Sequence, residues 1–332
     1  MLHSWSIGNV AIQGRTILAP LSGVTDLTFR QIAKRFGAAL VVSEMVASDG
    51  LVHGSEEARL RSDGAGITPH VIQLAGRTPY WMAEGARVAE ASGAAIIDIN
   101  MGCPAKKVTG GYSGSALMRD LPLATDIIAA TVAACSVPVT VKMRLGWDCS
   151  SINAPELARR AQDLGAQAIT VHGRTRQQFY KGQADWNAIA EISEALDIPV
   201  IANGDISSEA DARACMAAAK TDFVMIGRAS MGRPWLVGQI GAALDKQPVP
   251  MPTPEERALA ACEHYEGLLS SYGPRIAIKH ARKHLAAYAD IAVQDGFLVS
   301  DEDRRELVIS QDPKRVFELL SRLFSQPGRK AA

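Results

Sequence analysis

The sequence predicts an α/β chain: a (β/α)₈ TIM barrel followed by a small C-terminal all-α domain. Three observations carry this expectation. Eight short apolar, β-branched runs recur over roughly the first 230 residues, and helical patterns separate them. Seven of those runs end in polar or Gly-rich groups, where barrel enzymes place their chemistry. Beyond Trp235 no strand run remains and the chain reads as helices alone.

The expected strands are Thr16–Ala19, Leu40–Glu44, His70–Ala75, Ile96–Asn100, Pro138–Met143, Ala168–His172, Pro199–Asn203 and Asp222–Ile226. Between them, helical spacing covers Asp26–Phe36, Pro79–Ala91, Leu123–Ala134, Pro155–Leu164, Trp186–Ala195 and Ser208–Ala218. An open, doubly wound sheet is disfavoured because no G-x-G-x-x-G follows the first strand. Pro248, Pro250, Pro252 and Pro254 mark a hinge. The barrel is therefore expected over residues 1–247 and the helical domain over 254–325, with a frayed tail over 326–332. The helices of the second unit are expected at Pro254–Ser271, Pro274–Asp290, near Asp301–Leu307 and at Pro313–Phe324. Thr253 and Asp312 suit their N-caps, and Pro254 and Pro313 their first turns.

At 332 residues the chain can bury a large core, and 47% of it is hydrophobic. The 35 basic and 35 acidic residues balance, so any nucleic-acid site must be a local patch. The five cysteines form no C-x-x-C pair. They point to a reducing, cytoplasmic compartment and to neither a disulfide framework nor a metal site. No basic stretch leads into a long apolar one at the N-terminus, and no run is long enough to span a membrane.

The strand ends hold the candidate site. Cys103 follows the fourth strand in Asn100-Met101-Gly102-Cys103-Pro104, on a Gly-rich, basic loop with Lys106 and Lys107. A thiol there suits a proton donor or nucleophile, and nearby positive charge favours its thiolate. Lys142 interrupts the apolar fifth strand. Either it meets an anionic or electron-rich partner such as the N1–C2=O edge of a flavin, or it snorkels to solvent. Asn203-Gly204-Asp205 and Gly227-Arg228 follow strands seven and eight. Alone, each glycine permits only a tight turn; as a pair at these two strands they point to a phosphate site. His172 suits either a structural role or a phosphate or substrate contact. His264, His280 and His284 show no metal-ligand spacing with acidic partners.

Taken together, these residues resemble the tRNA-dihydrouridine synthase family, over about residues 16 to 290. The matching stretches begin with Leu18-Ala19-Pro20-Leu21-Ser22-Gly23-Val24-Thr25-Asp26, Phe29-Arg30, Ser43-Glu44-Met45 and Gln73-Leu74-Ala75-Gly76. They continue with Asp98 through Val108, Val141-Lys142-Met143-Arg144, Thr170 through Arg176, Ile201 through Ile206, and Met225-Ile226-Gly227-Arg228. The Cys-Pro-Ala-Lys-Lys-Val run is most similar to the bacterial B-type branch.

The resemblance implies an FMN-dependent barrel enzyme that reduces the C5=C6 bond of a D-loop uridine in tRNA. Position 17 is suggested by the B-type likeness. NADPH, or NADH, would reduce the flavin. Cys103 would protonate uracil C5, with Asn100 in support. Pro20, Leu21, Ser22, Gln73, Lys142, His172, Asn203, Gly204, Asp205, Gly227 and Arg228 would hold FMN. Lys106, Arg174, Lys279, Arg282 and Lys283 would contact tRNA, with the enzyme acting as a monomer. Arg275, Lys279, Arg282 and Lys283 share one helical face. From Pro254 onward, 12 basic residues meet 12 acidic ones, which favours recognition of folded RNA shape over nonspecific attraction. Two positions depart from the family pattern: Ala286-Ala287 stand before Tyr288, and Ala218 through Asp222 hold no Gly. The competing readings are a flavin barrel acting on a free small molecule, similar to dihydroorotate dehydrogenase, and a tRNA-binding regulator without catalysis.

Overall fold

The computed structural model describes residues 2–110, 113–249 and 251–326. Pro250 of the expected hinge, and the expected tail beyond Gln326, lie outside the described residues. A hairpin that the sequence reading did not foresee precedes the barrel. Its strands, β1 (Ser4–Ile7) and β2 (Val10–Gln13), pair antiparallel. Ile7 and Ile12 turn into one apolar cluster with Ile17, Val71, Ile96, Ala168, Ile201 and Phe223. Trp5 stacks on Phe223 at 3.9 Å. The hairpin thus closes the lower end of the barrel.

The barrel strands are β3 (Thr16–Leu18), β4 (Leu40–Val41), β5 (Val46–Ala47), β6 (Val71–Ala75), β7 (Ile96–Met101), β8 (Val139–Arg144), β9 (Ala168–His172), β10 (Val200–Asn203) and β11 (Phe223–Ile226). All pair in parallel, in the order β4-β3-β11-β10-β9-β8-β7-β6-β5. One expected strand is corrected: Leu40–Glu44 does not run through. The Ser43 hydroxyl accepts the Gln73 N–H at 2.9 Å and donates to the Glu44 carbonyl, so a side chain replaces the ladder there. The chain resumes as β5 after that break, and β4 and β5 form the two sheet edges, linked by a bridge from Val42 to Val71.

The helices α1 (Leu27–Arg35), α2 (Ser48–Val52), α3 (Glu56–Ser62), α4 (Pro79–Ala91), α5 (Lys106–Thr109), α6 (Leu121–Ala134), α7 (Ala154–Asp163), α8 (Asn187–Ala195), α9 (Glu209–Ala219) and α10 (Leu236–Leu244) join the strands or flank them. The absent Gly before the eighth strand has a structural consequence. Lys220 caps α9 at φ 51°, ψ 47°, a left-handed conformation that glycine adopts more easily.

Alternation along each strand separates two environments. Ile97, Ile99, Val139, Val141, Ile169 and Val171 face the helices. Their neighbours face inward: apolar at the lower end, then Gln73, Asp98, Thr140 and Thr170, then Asn100, Lys142, His172 and Asn203 at the upper end.

The C-terminal helices are α11 (Pro254–Gln294), α12 (Asp301–Ile309) and α13 (Pro313–Arg322). α11 breaks at Gly273 (φ 67°, ψ 155°) just before Pro274, between the two helices expected from sequence. The break is a reversal. A straight helix would separate His264 from Tyr288 by about 36 Å, yet His264 Nδ1 lies 3.1 Å from the Tyr288 hydroxyl. Arg257 and Asp295 close the far end of this helical hairpin at 2.7 Å. The hairpin packs on the barrel through a cluster that includes Ile32 and Trp235. Gly267 permits the close crossing of α1, because a Cβ there would sit 1.9 Å from Thr28 Oγ1. No helix among the described residues is long and apolar enough to cross a membrane.

Candidate active site

A cavity of about 670 Å³ opens at the upper end of the barrel. Every residue expected from sequence to be catalytic or to hold the cofactor lines it: Asn100 and Cys103, then Pro20, Leu21, Ser22, Gln73, Lys142, His172, Asn203, Gly204, Asp205, Gly227 and Arg228. This volume suits a small organic cofactor with part of a substrate beside it.

The floor is a chain of side-chain hydrogen bonds across neighbouring strands. Thr140 donates to Asp98 at 2.6 Å, and Gln73 Nε2 donates to the other Asp98 oxygen at 2.6 Å. Asn100 Nδ2 donates to Gln73 Oε1 at 2.7 Å. Burial pushes the Asp98 carboxyl up to about 6, against the pull of its two donors. Asn100 then uses its oxygen to accept the N–H groups of Gly102 (3.3 Å) and Cys103 (3.0 Å). The Cys103 carbonyl accepts both the Ser115 N–H and the Ser115 hydroxyl. The thiol is therefore carried on a turn fixed from both sides.

Burial, rather than the nearby positive charge weighed from the sequence, dominates its acidity. Burial raises the Cys103 pKa, and this outweighs the opposing effects of the Ala105 N–H, Arg144 and Lys142. The thiol stays protonated at neutral pH, the form a proton donor requires. Among the described residues, the charges that act on it are those of Arg144 and Lys142 on β8; the side chains of Lys106 and Lys107 lie outside what the structure describes.

Lys142 does point inward. Its Nζ donates to Asn203 Oδ1 at 3.1 Å, and Asn203 is held in turn by the Met225 carbonyl at 2.8 Å. Burial lowers the Lys142 pKa to about 8, with Arg144 adding to the effect and Asp98 opposing it. His172 is driven well below its usual value by burial and then by Arg144, Lys142, Arg174 and Arg228, so it is neutral. Arg174 Nη1 stands 3.3 Å from His172 Nε2, and because Arg can only donate, the imidazole proton sits on Nδ1.

The glycine loops differ from each other. Gly204 (φ 123°) is required by its surroundings: a Cβ would lie 2.7 Å from Ala184 Cβ and 3.0 Å from the His172 ring. At Gly227 a Cβ would meet only Ala19 and Leu21, both at 3.7 Å and both lining the cavity. No clash within the chain meets a Cβ there, so the cavity wall has room beside Gly227. Asp205 has a supporting role in this loop. Its carboxylate accepts from Arg174 at 2.9 and 2.5 Å and from the Ala184 N–H at 2.8 Å. Burial acts to raise its pKa, but Arg174 and these donors hold it below the usual carboxylate value.

Arg174 itself is corrected. Expected at the RNA surface, it is 1% exposed and bonds Asp205 and the carbonyls of Lys181 and Gly182. It clamps the loop after β9 to the loop after β10. Lys279, Arg282 and Lys283 are exposed on α11, away from the cavity lining. Lys283 nevertheless reaches the cavity's edge, because a Cβ on Gly23 would lie 2.7 Å from its Nζ.

Sequence reasoning gave no role to three cavity residues, Arg144, Phe179 and Tyr180. Arg144 is buried and donates to the carbonyls of Gly102, Thr175 and Phe179. The Tyr180 ring lies between Arg144 and Arg228, at 5.6 and 4.7 Å from their guanidinium carbons. The Phe179-Tyr180 pair after the basic Arg174–Arg176 run was the available signal. A second correction concerns His264 and His284. Asp26, far away in sequence, comes within 4.8 Å of both. Its oxygens are engaged by the Phe29 N–H at 3.1 Å and by His264 Nε2 at 2.9 Å.

Comparisons with known proteins show which family the chain is similar to. The sequence pattern of the family described as Dihydrouridine synthase (Dus) matches residues 17–315. A probable tRNA-dihydrouridine synthase of Rhizobium leguminosarum bv. phaseoli is 49% identical over 97% of this chain and 100% of its own length. A tRNA-dihydrouridine synthase B of Xanthomonas axonopodis pv. citri is 48% identical over 85% of this chain and 86% of its own. Among solved structures, histamine dehydrogenase from Rhizobium sp. 4-9 aligns with a TM-score of 0.55 at 13% identity, covering 98% of this chain and 64% of that longer one. The 6-hydroxypseudooxynicotine amine oxidase of Pseudomonas geniculata N1 aligns with a TM-score of 0.56 at 12% identity, covering 81% and 52%. The last two likenesses concern the fold alone.

Proposed function

This chain belongs to the dihydrouridine synthase family, and from that premise we propose that it reduces the C5=C6 bond of a D-loop uridine in tRNA. FMN is the resident cofactor in this reading, NADPH the reductant and position 17 the target. The enzyme works in the cytoplasm as a monomer. The observation that carries the proposal is the protonated thiol of Cys103 in one cavity with the inward Lys142 and the open space at Gly227.

When bound, the flavin supplies the hydride for uracil C6. This chain's own residues do the rest. Cys103 holds the proton destined for C5, and Asn100 fixes the turn that carries it. Lys142, held by Asn203, offers a cation to an electron-rich edge. The backbone at Gly204 and Gly227, with the guanidinium of Arg228, suits the phosphate. Arg174 and Asp205 keep that loop in shape. Pro20, Leu21, Ser22, Gln73 and His172 complete the walls.

A uridine in folded RNA must leave its stack to enter such a cavity. The Tyr180 ring, close to the guanidiniums of Arg144 and Arg228, offers an aromatic and cationic rim for it. The exposed Arg275, Lys279, Arg282 and Lys283 supply contacts to phosphates, and they favour tRNA over a free small molecule as substrate. The test is reduction of an unmodified tRNA transcript by flavin-loaded protein and NADPH, with uridine and uracil as competitors. Dihydrouridine in the transcript and none in the free compounds supports the proposal; turnover of the free compounds alone refutes it.

A further inference from the structure

The turn that carries Leu21, Ser22 and Val24 into the cavity is gripped from behind by both parts of the molecule. The turn is closed locally by Leu21, whose carbonyl accepts from Val24 at 2.8 Å and from Thr25 at 3.0 Å. Gly23 stands at its back with φ 73°. The Gly23 N–H donates to the Glu44 carboxylate, which belongs to the barrel. The Gly23 carbonyl faces His284 Nε2 of the helical hairpin at 3.3 Å.

His284 is 2% exposed, and burial drives its pKa down to about 3, so it is neutral and carries one ring proton. Its contact with a carbonyl puts that proton on Nε2. Nδ1 is then a buried acceptor, and among the described residues it has no hydrogen-bond partner. Placing such a group here carries a penalty that a packing role alone does not explain. The ring is held between Phe29 and His264, and His264 bonds Asp26, the residue that ends this same segment and caps α1. In the sequence, His284 directly follows Arg282 and Lys283, and Lys283 Nζ lies over Gly23.

We propose that His284 is a positioning residue for the cofactor pocket: through the Gly23 carbonyl it holds the Leu21–Thr25 turn, so that tRNA seated on Arg282 and Lys283 tightens the grip on the cofactor. The helical hairpin is in this sense part of the pocket wall as well as an RNA-facing surface. The inference rests on the proposed function, since it takes FMN as the ligand and tRNA as the partner.

The test compares wild type with His284→Leu, which keeps volume but loses the donor, and His284→Gln, whose amide nitrogen can reach the place of Nε2. FMN release from the oxidised, loaded protein is followed by flavin fluorescence, with and without unmodified tRNA and with no reductant. The expected result is release about fivefold faster in the Leu variant, the worth of one hydrogen bond, and largely restored in the Gln variant. Added tRNA slows release from wild type and from Gln but leaves Leu unchanged, while the tRNA dissociation constant of the flavin-free proteins is the same in all three.

Equal release rates in Leu and wild type would overturn the inference. So would a Leu variant that loses tRNA affinity with its FMN release intact. Should the Leu variant not fold, amide hydrogen exchange at Gly23, Val24 and Thr25 in wild type decides the matter: slower exchange with tRNA supports the inference and unchanged exchange refutes it. The two readings fail separately. A wild type that takes up no FMN refutes the proposed function, whereas a loaded wild type with an indifferent Leu variant refutes this one.

Discussion

The lower and upper ends of the barrel come from the same strands at the same inward-facing positions, yet they obey different rules. On β7 the inward residues run Ile96, Asp98, Asn100; on β9 they run Ala168, Thr170, His172; on β10 Ile201 and Asn203. Below, the side chains pack with the hairpin residues Ile7 and Ile12 in one apolar cluster. Above, Gln73, Asp98, Asn100 and Thr140 are bonded across adjacent strands, Lys142 reaches over β9 to Asn203 on β10, and the last of them face the cavity. Four residues along a strand, about 13 Å, suffice to pass from a sealed core to a reactive surface. Stability and chemistry are therefore separable by height in the barrel, and substitutions at the two levels should separate them.

The largest effect is expected at the top. Cys103→Ala should lower single-turnover reduction of tRNA uridine by about 10²–10⁴-fold, the range for loss of a positioned acid. FMN absorbance and thermal stability should stay near wild type, because only a small, partly exposed side chain is removed. An undiminished rate in rapid-quench experiments would show that another group delivers the proton.

At the bottom the order reverses. Ile96→Ala opens a cavity beneath the strands and should lower unfolding free energy by about 2–5 kcal/mol in urea titrations. The folded fraction should keep the turnover of wild type, since no residue near Ile96 in its cluster lines the active-site cavity except Ala19 and Met225. A variant that folded well but lost activity would tie the two ends together.

How far each level could be read in the sequence follows from the range of the interactions that build it. The barrel strands were legible because each is a local apolar run, and the site was legible because barrel chemistry gathers at known strand ends. Four things were not. The hairpin of β1 and β2 has only four residues per strand, and its meaning depends on Phe223, far along the chain. The break in the second strand depends on a hydroxyl that meets Gln73 of the next strand. Arg174 reads as a surface cation until the fold brings Asp205 against it. Likewise, the acidic partner of His264 was invisible, because Asp26 lies 238 positions away. Local patterns fixed the elements; the partners of charged side chains were decided by packing over long separations.

The middle layer, between the two levels, gives a smaller signal with a definite pH dependence. Asp98 is raised from 3.8 to about 6 in the folded protein by burial. A raised carboxyl contributes stability below about pH 3.8 and loses it as pH rises through about 6, by roughly 3 kcal/mol in total. Asp98→Asn should remove that slope. The difference in unfolding free energy between wild type and variant should then shift in the variant's favour from about pH 4 to pH 7. Parallel curves for the two proteins would mean that Asp98 is already ionised without penalty.

The smallest expected effect isolates the comparison to the backbone. Lys220 at the lower end and Asp205 at the upper end share almost the same left-handed φ, 51° and 55°. Glycine relieves that conformation at either place, by about 1 kcal/mol. At Lys220 the side-chain interaction given up among the described residues is an exposed ion pair with Glu194, which contributes little. Lys220→Gly should thus raise the melting temperature slightly and leave turnover untouched. At Asp205 the same relief is outweighed, because Arg174 is buried and would lose its carboxylate. Asp205→Gly should lower the melting temperature and weaken FMN retention despite its easier backbone. If both substitutions raised the melting temperature, strain rather than the Arg174 contact would govern the upper loop, and the separation by height would fail at the level of the backbone.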